Sequence, residues 1–415
     1  MSSAAISVTE LPTAPAGILP GDGPFWERLP PRDARALRLP DGILLQDQDD
    51  VRTAFRDKRL VNLALAMLRS DPAVDPAFIE RRTKQLLSME GPDHLRLRQL
   101  TMTAMSPRAV EGYRARMRAI MENLVAPVLP QGCCEAVEAL LRPYPIPVVC
   151  ALMGIPDQDI DFFSRVSADW VAFMHMGTGA AAVSYAAHLD MDAYLLPVIE
   201  RRETRLGDDM LSHLLRAEED GDRLTRQEIV NMIGGFLAAG TDTTRYVLGS
   251  GLYLFAQNPD QWQKLRERPE LVGRAVDEML RCAPAGGFIS RYASTDVDVN
   301  GIAIPKGTAI ALSLLALNYD PTIVTEPHRF DIERPVVRAP HLTFGFGPHT
   351  CLGLHLAKAE LEEALLVLSR AFVTLELDGP CEWRPPHGLQ GPTRLPIAFT
   401  ASTAETGETR RRMAG

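Results

Sequence analysis

"HLTFGFGPHTCLGLHLAKAELEEALL", residues 341–366, presents one cysteine behind two spaced glycines, a proline and a histidine. Beyond it Leu352, Leu356, Ala359, Leu361, Ala364, Leu365 and Leu368 recur at helical spacing, with charges between them. Cys351 is therefore expected at the N-terminal mouth of a helix, with a tight, glycine-rich loop before it. On these residues alone two readings stay open. One is a cysteine buried behind a turn, the common fate of a lone intracellular cysteine; the other is a thiolate held for chemistry.

The chain of 415 residues carries a net charge of −9, which argues against a nucleic-acid partner. Its six cysteines show neither metal-knuckle spacing nor a disulfide framework and read as reduced thiols. The N-terminus has no basic segment followed by an apolar core. The longest apolar runs, such as "VVCALMGI" at 148–155, fall short of the roughly 20 residues that span a bilayer. These features predict a cytoplasmic protein without a membrane anchor, taken as a monomer.

Helical periodicity dominates from about residue 94 to 282, broken by the turns "GIPDQD" and "AEEDGDRLT". "RYASTDVDVNGIAIPKGTAIALSL", residues 291–314, then brings alternation, β-branched residues and Asn-Gly, a strand-and-hairpin signal, and "FVTLELDG" and "RLPIAFTAS" repeat that texture near the end. The expected fold is mainly α with small β-sheets. One domain is expected over residues 21–403, with a flexible N-terminal arm at 1–20 and a C-terminal tail at 404–415.

"LTRQEIVNMIGGFLAAGTDTTRYVLGSGLYLFAQNPD" predicts a long helix ending before Pro259, with Thr225 as N-cap and Glu228 three residues on. About 30 residues of helix would cross a whole domain, at about 45 Å. So apolar a helix is buried, which makes Asp242 in its middle the anomaly, because a buried carboxylate needs a partner or a job. Gly240, just before Thr241, marks a place where the helix could widen and hydroxyls replace backbone partners. An aspartate capped by its neighbouring threonines in an ordinary packed helix is the competing reading.

Together these pieces resemble the cytochrome P-450 family of haem-thiolate monooxygenases, over roughly residues 20–400. "FGFGPHTCLG", Phe344 to Gly353, is similar to the family's haem loop, and "AGTDTT", Ala239 to Thr244, to its oxygen-activation segment. "EMLR" supplies Glu278 and Arg281, and "PHRF" supplies Arg329, which the resemblance makes the third member of a buried structural Glu-Arg-Arg cluster. The resemblance implies the family fold, with haem b between a long central helix and the cysteine helix and with Cys351 as the thiolate ligand of its iron. It implies that Phe344, Gly345, Gly347, His349 and Gly353 shape the cofactor loop. His94, Arg98 and Arg291 would hold the haem propionates through charge-assisted contacts. A helix N-terminus and glycine amides turned toward sulfur suit a thiolate. Asp242 and Thr243 become the catalytic acid–alcohol pair that relays protons during oxygen activation.

The same resemblance implies insertion of one oxygen atom into a hydrophobic small molecule, by hydroxylation or O-dealkylation. Electrons would come from NAD(P)H through a separate ferredoxin and ferredoxin reductase. The ferredoxin would dock on the basic island Arg96, Arg98, Arg108, Arg114, Arg116 and Arg118, although a solvated helix face explains any single one of these. The substrate pocket would draw on Trp170, Phe173, Met174, Ala239, Phe288, Ile289 and Gln390, residues that ordinary core packing explains as well. A peroxide-driven peroxygenase and a non-catalytic haem-thiolate sensor are the alternatives; an intact acid–alcohol pair weighs against both.

Overall fold

The computed structural model describes residues 5–15, 24–27, 29, 33–175, 179–219, 222–335, 341–384 and 388–402. The expected tail at 404–415 and the side chain of Met174 lie outside the described residues. Residues in the expected flexible arm are docked where they are described. Ile6–Ser7 runs parallel to Ile302–Ile304, and Ala14 and Arg38 exchange backbone hydrogen bonds with Arg38 and Pro12. Pairing with a sheet edge satisfies amide and carbonyl groups that would otherwise need water.

The architecture is mostly helical with small sheets. Its axis is the helix Arg226–Gln257, whose N-terminus carries the expected capping box: the Thr225 hydroxyl accepts from Glu228 N, and the Glu228 carboxylate accepts from Thr225 N. Ile229, Val230, Ile233, Leu237, Val247, Leu248, Leu252 and Phe255 are buried along it. The helices Pro145–Leu152, Ile160–Trp170, Ala180–Glu203 and Leu354–Ala371 pack against this axis. Gly234 is required there, because a Cβ would stand 2.4 Å from the Trp170 indole.

The β signal is found where the alternation places it. Phe288–Ala293 and Ala309–Ser313 are antiparallel partners in a five-stranded sheet that Leu60–Asn62, Gly42–Leu45 and Ala36–Leu39 complete. Val297–Val299 and Ile302–Ile304 form the hairpin, turning through Asn300 and Gly301 at φ 49° and 86°. A second apolar core lies under this sheet, from Ile43, Leu45, Val51, Ile310 and Leu312. The sheet positions Arg291 in its middle, and the two long helices position Asp242 and Cys351.

Candidate active site

The loop before Cys351 is held by its own backbone. Gly345 and Gly347 have φ of 73° and 76°, in the left-handed region that glycine enters without penalty. Gly345 N donates to Leu342 O and Cys351 N to Phe344 O, each at 2.8 Å. One 3-10 turn, Gly347–His349, precedes the cysteine, and the helix Leu354–Ala371 starts three residues after it with Gly353 at its cap. Cys351 is open to solvent on one side. The protein enclosing its other side pushes the thiol up, while the Gly353 amide and the Arg98 charge work in the opposite direction. Those two groups are what would favour a thiolate.

Four of the expected cofactor contacts converge nearby. The His94 and His349 rings lie 4.3 Å apart, and His349 pairs with Glu90 at 2.9 Å. Burial, helped by His349 and Arg98, brings His94 down to about 4, so its imidazole is neutral at pH 7. Its Nε2 is buried without a hydrogen-bond partner. Arg291 is buried in the sheet and donates to the Ser290 carbonyl at 3.2 Å; Arg98 donates to Thr350 O at 2.7 Å. His94, Arg291 and His349 line one cavity of about 150 Å³ with Phe55, Leu95 and Pro348, together with the cations of Arg56 and Lys58 and the carboxylates of Asp57 and Glu90. Donors poorly matched to protein acceptors around a void are what an anionic ligand would satisfy.

The structure corrects one member of the ionic cluster. Arg281 grips Glu278 with two hydrogen bonds of 2.8 Å, and Arg334, not Arg329, closes the other side through Nε at 3.1 and 3.2 Å. Glu278 and Arg281 are 4% and 1% exposed and Arg334 14%, whereas Arg329 is 55% exposed and, among the described residues, pairs with Glu326 and Asp331. Phe330 and Ile332 take the inward positions of this segment, which turns Arg329 outward and brings Arg334, of matching parity, underneath. That alternation was the available signal. Asn318, which had no local signal, ties this cluster to the cysteine loop: its amide donates to Arg281 O and Thr343 Oγ1 and accepts from Leu342 N.

The central helix runs without interruption through Gly240, so the expected widening is absent. Hydroxyls nevertheless bond back: Thr241 Oγ1 donates to Leu237 O and Thr243 Oγ1 to Ala239 O, each at 2.5 Å. Asp242 is 30% exposed rather than buried, and its partners are cations. Arg245 stands 2.8 Å from one oxygen, one helical turn on, and Arg384 lies 4.0 Å from the other. Both arginines donate to the Tyr246 hydroxyl at 2.9 Å. Arg384 follows the strand Glu382–Trp383, so no helix periodicity could have revealed it. Behind Thr243, Thr244 bonds Glu360, a fully enclosed carboxyl on the cysteine helix.

The expected pocket residues separate into groups. Trp170 belongs to the main helical core, stacked on His188 at 3.5 Å, while Phe173 joins Leu68, Val74 and Phe78 in a smaller cluster. Ala239 is exposed on the central helix. Phe288 and Ile289 are half-buried at the start of the strand that carries Arg291, and Gln390 N is tied to Ala285 O at 2.6 Å beside them. The basic island is largely compensated. Arg96 meets Glu228, Arg116 meets Asp157, and Arg114 and Arg118 share Glu363 across to the cysteine helix. Much of that positive charge stitches helices together instead of facing outward.

A sequence profile of the family described as Cytochrome P450 matches residues 173–389. Luteothin monooxygenase of Streptomyces thioluteus is 34% identical over 88% of this chain and 90% of its own length. Cytochrome P450 monooxygenase PikC of Streptomyces venezuelae is 36% identical over 88% of both chains. Among solved structures, P450BioI in complex with an acyl carrier protein ligated to hexadec-9Z-enoic acid superposes with a TM-score of 0.77 at 28% identity, covering 92% of this chain and 95% of that one.

Proposed function

The chain belongs to the cytochrome P450 family and is a monooxygenase of it, and on that premise we propose that it holds haem b through Cys351 and oxidises a hydrophobic small molecule. The observation that carries this reading is the convergence of the Cys351 loop with the orphaned His94 Nε2 and the buried Arg291 around one cavity. Among the described residues no group of three His, Cys, Asp or Glu side chains could hold a metal ion. A lone thiol suits a metal whose remaining ligands come from a macrocycle, and the buried Arg291 with the half-buried Arg98 suits the propionates of that macrocycle.

Bound there, the haem supplies dioxygen activation and the oxidising power for the chemistry. Cys351 gives its thiolate, steadied by the Gly353 amide and Arg98. Arg98, Arg291 and a neutral His94 N–H orient the propionates. The Thr243 hydroxyl, now donating to Ala239 O, turns by rotation about its Cα–Cβ bond to donate into the pocket. Asp242 passes protons inward from water, which reaches it because its carboxylate is only partly covered. Arg245 and Arg384 keep that carboxylate in place between deliveries.

Electrons are proposed to come from NAD(P)H through a separate ferredoxin and its reductase on the cysteine side. The pairing of Arg96, Arg114, Arg116 and Arg118 leaves less charge for long-range steering, so this reading carries a modest salt dependence. No helix among the described residues is long and apolar enough to cross a membrane, and a cytoplasmic location is part of the proposal.

The test is an optical titration of the purified ferric protein with terpenes, steroids, aromatic acids and fatty acids. A Soret band that shifts to the high-spin form with one class supports the reading. A protein that takes up no haem under any condition overturns it.

A further inference from the structure

Two adjacent arginines on the helix Pro76–Thr83 have opposite circumstances. Arg81 makes a bidentate ion pair with Asp192. Arg82 is 4% exposed, and among the described residues no carboxylate meets it. Its guanidinium lies 4.2 Å above the Phe173 ring and donates to Gln85 Oε1, while its Nε is buried with no acceptor. Burial pulls it down to about 9, which leaves it a cation at neutral pH.

Gln85 cannot supply the missing charge, and the hydrogen bonds behind it explain why. His188 Nδ1 faces Ser184 O at 2.6 Å, so that nitrogen carries the proton. Its Nε2 is then an acceptor, and the Gln85 amide nitrogen donates to it at 2.5 Å. That assignment turns the Gln85 oxygen toward Arg82. Burial brings His188 down to about 3, so the imidazole is neutral as well. The relay offers Arg82 one neutral dipole and no counter-charge. A buried cation so placed is expensive unless something anionic pairs with it.

The same relay leads to the central helix. His188 stacks on Trp170, and Trp170 lies against Gly234. Gly234 precedes Thr243 by nine residues, about 13 Å of helix rise. Phe173, under the guanidinium, sits in the apolar cluster with Leu68, Val74 and Phe78. Asn231 on the same stretch of the central helix donates to the carbonyl of Lys84, two residues from Arg82, at 3.5 Å, so an anionic head at Arg82 would have apolar surface beside it and the acid–alcohol pair further along the helix.

We propose that Arg82 is a substrate-binding residue that pairs with the carboxylate of an elongated organic acid, whose oxidised carbon lies toward the end remote from that carboxylate. This inference rests on the monooxygenase reading and deepens it by naming the substrate class. Gln85 and His188 are positioning residues that fix the guanidinium's orientation.

The experiment compares dodecanoic acid, 4-phenylbutanoic acid and an alicyclic acid with their primary amides. Binding to the haem-loaded protein is followed by the Soret shift and by calorimetry, for wild type, Arg82→Gln and Arg82→Lys. For at least one skeleton the acid is expected to bind at least about tenfold tighter than its amide. That preference should vanish in Arg82→Gln and survive in part in Arg82→Lys. In the absence of ligand, Arg82→Gln should melt at or above the wild-type temperature, because it removes an uncompensated buried charge. No acid preferred over its amide, or a preference that persists in Arg82→Gln, overturns the proposal. So does a large loss of thermal stability in Arg82→Gln, which would make Arg82 a structural keystone. In each of these cases a normal Soret band leaves the monooxygenase reading standing, whereas its absence from the wild type defeats that reading instead.

Discussion

Replacing Arg334 by alanine should unseat the cofactor, whereas the same change at Arg329 should leave it in place. Arg334→Ala removes both contacts of its Nε with Glu278, at 3.1 and 3.2 Å. It also strips donors from the carbonyls of Thr325, Glu326 and Arg329. Breaking a buried ion pair from one side costs ~3–5 kcal/mol. Glu278 keeps Arg281 and the Asp331 amide at 3.0 Å, which places the loss at the lower end, about 3 kcal/mol. Against a typical domain stability of about 5–15 kcal/mol this is a large fraction. Arg329 sits in water with pairs of 3.2 and 3.7 Å, worth about 0–1 kcal/mol. Both variants would be purified and assayed for haem per chain by absorbance and for unfolding midpoint in denaturant by circular dichroism. Arg329→Ala should match wild type and Arg334→Ala should fall in both measures. The reverse order would refute the assignment of Arg334 to the cluster.

Glu360 should make stability depend on pH. Burial pushes its carboxyl up to about 8, partly opposed by the Thr244 hydrogen bond. The folded chain keeps a proton that the unfolded chain releases above its ordinary 4.5, so stability is full below about 4.5 and falls as pH rises to about 8. The gap is worth up to about 5 kcal/mol. Glu360→Gln should flatten the denaturation midpoints between pH 5 and 8, and an unchanged slope would count against the effect. Thr243→Ala should retain haem but release peroxide at the expense of product per NAD(P)H; coupling equal to wild type would sink its proton-relay role. Gly234→Ala should lower the melting temperature, because the new Cβ would lie 2.4 Å from a stacked indole and costs about 1–3 kcal/mol. A melting temperature at or above wild type would show that Trp170 can move aside.

What could be read from the sequence was mostly local. The Cys351 loop depends on glycines within a few residues of it, and the Thr225–Glu228 capping box is set by a spacing of three. Both therefore show in a short window of sequence. The partners of charged groups are a different matter, because a charge has no period. Asp242 faces Arg384 from across 142 positions, and Arg96 faces Glu228 across 132. The run of arginines from 96 to 118 consequently read as an open basic island, when most of it is spent on carboxylates of other helices. The short motif around Arg329 points to that residue, whereas the in–out parity of Phe330 and Ile332 points to Arg334.

The Asn318 amide also bears on how freely the cysteine loop could be exchanged between proteins. Thr343 donates to Leu280 O at 2.6 Å, and Asn318 joins Leu342 and Thr343 to the end of the helix that carries Glu278 and Arg281. The loop's shape is thus written partly in residues outside it. Transplanting residues 341–353 alone into another scaffold would carry Cys351 and the glycines but leave their anchor behind. A portable version of this cysteine loop has to include the 278–282 segment and Asn318 as well.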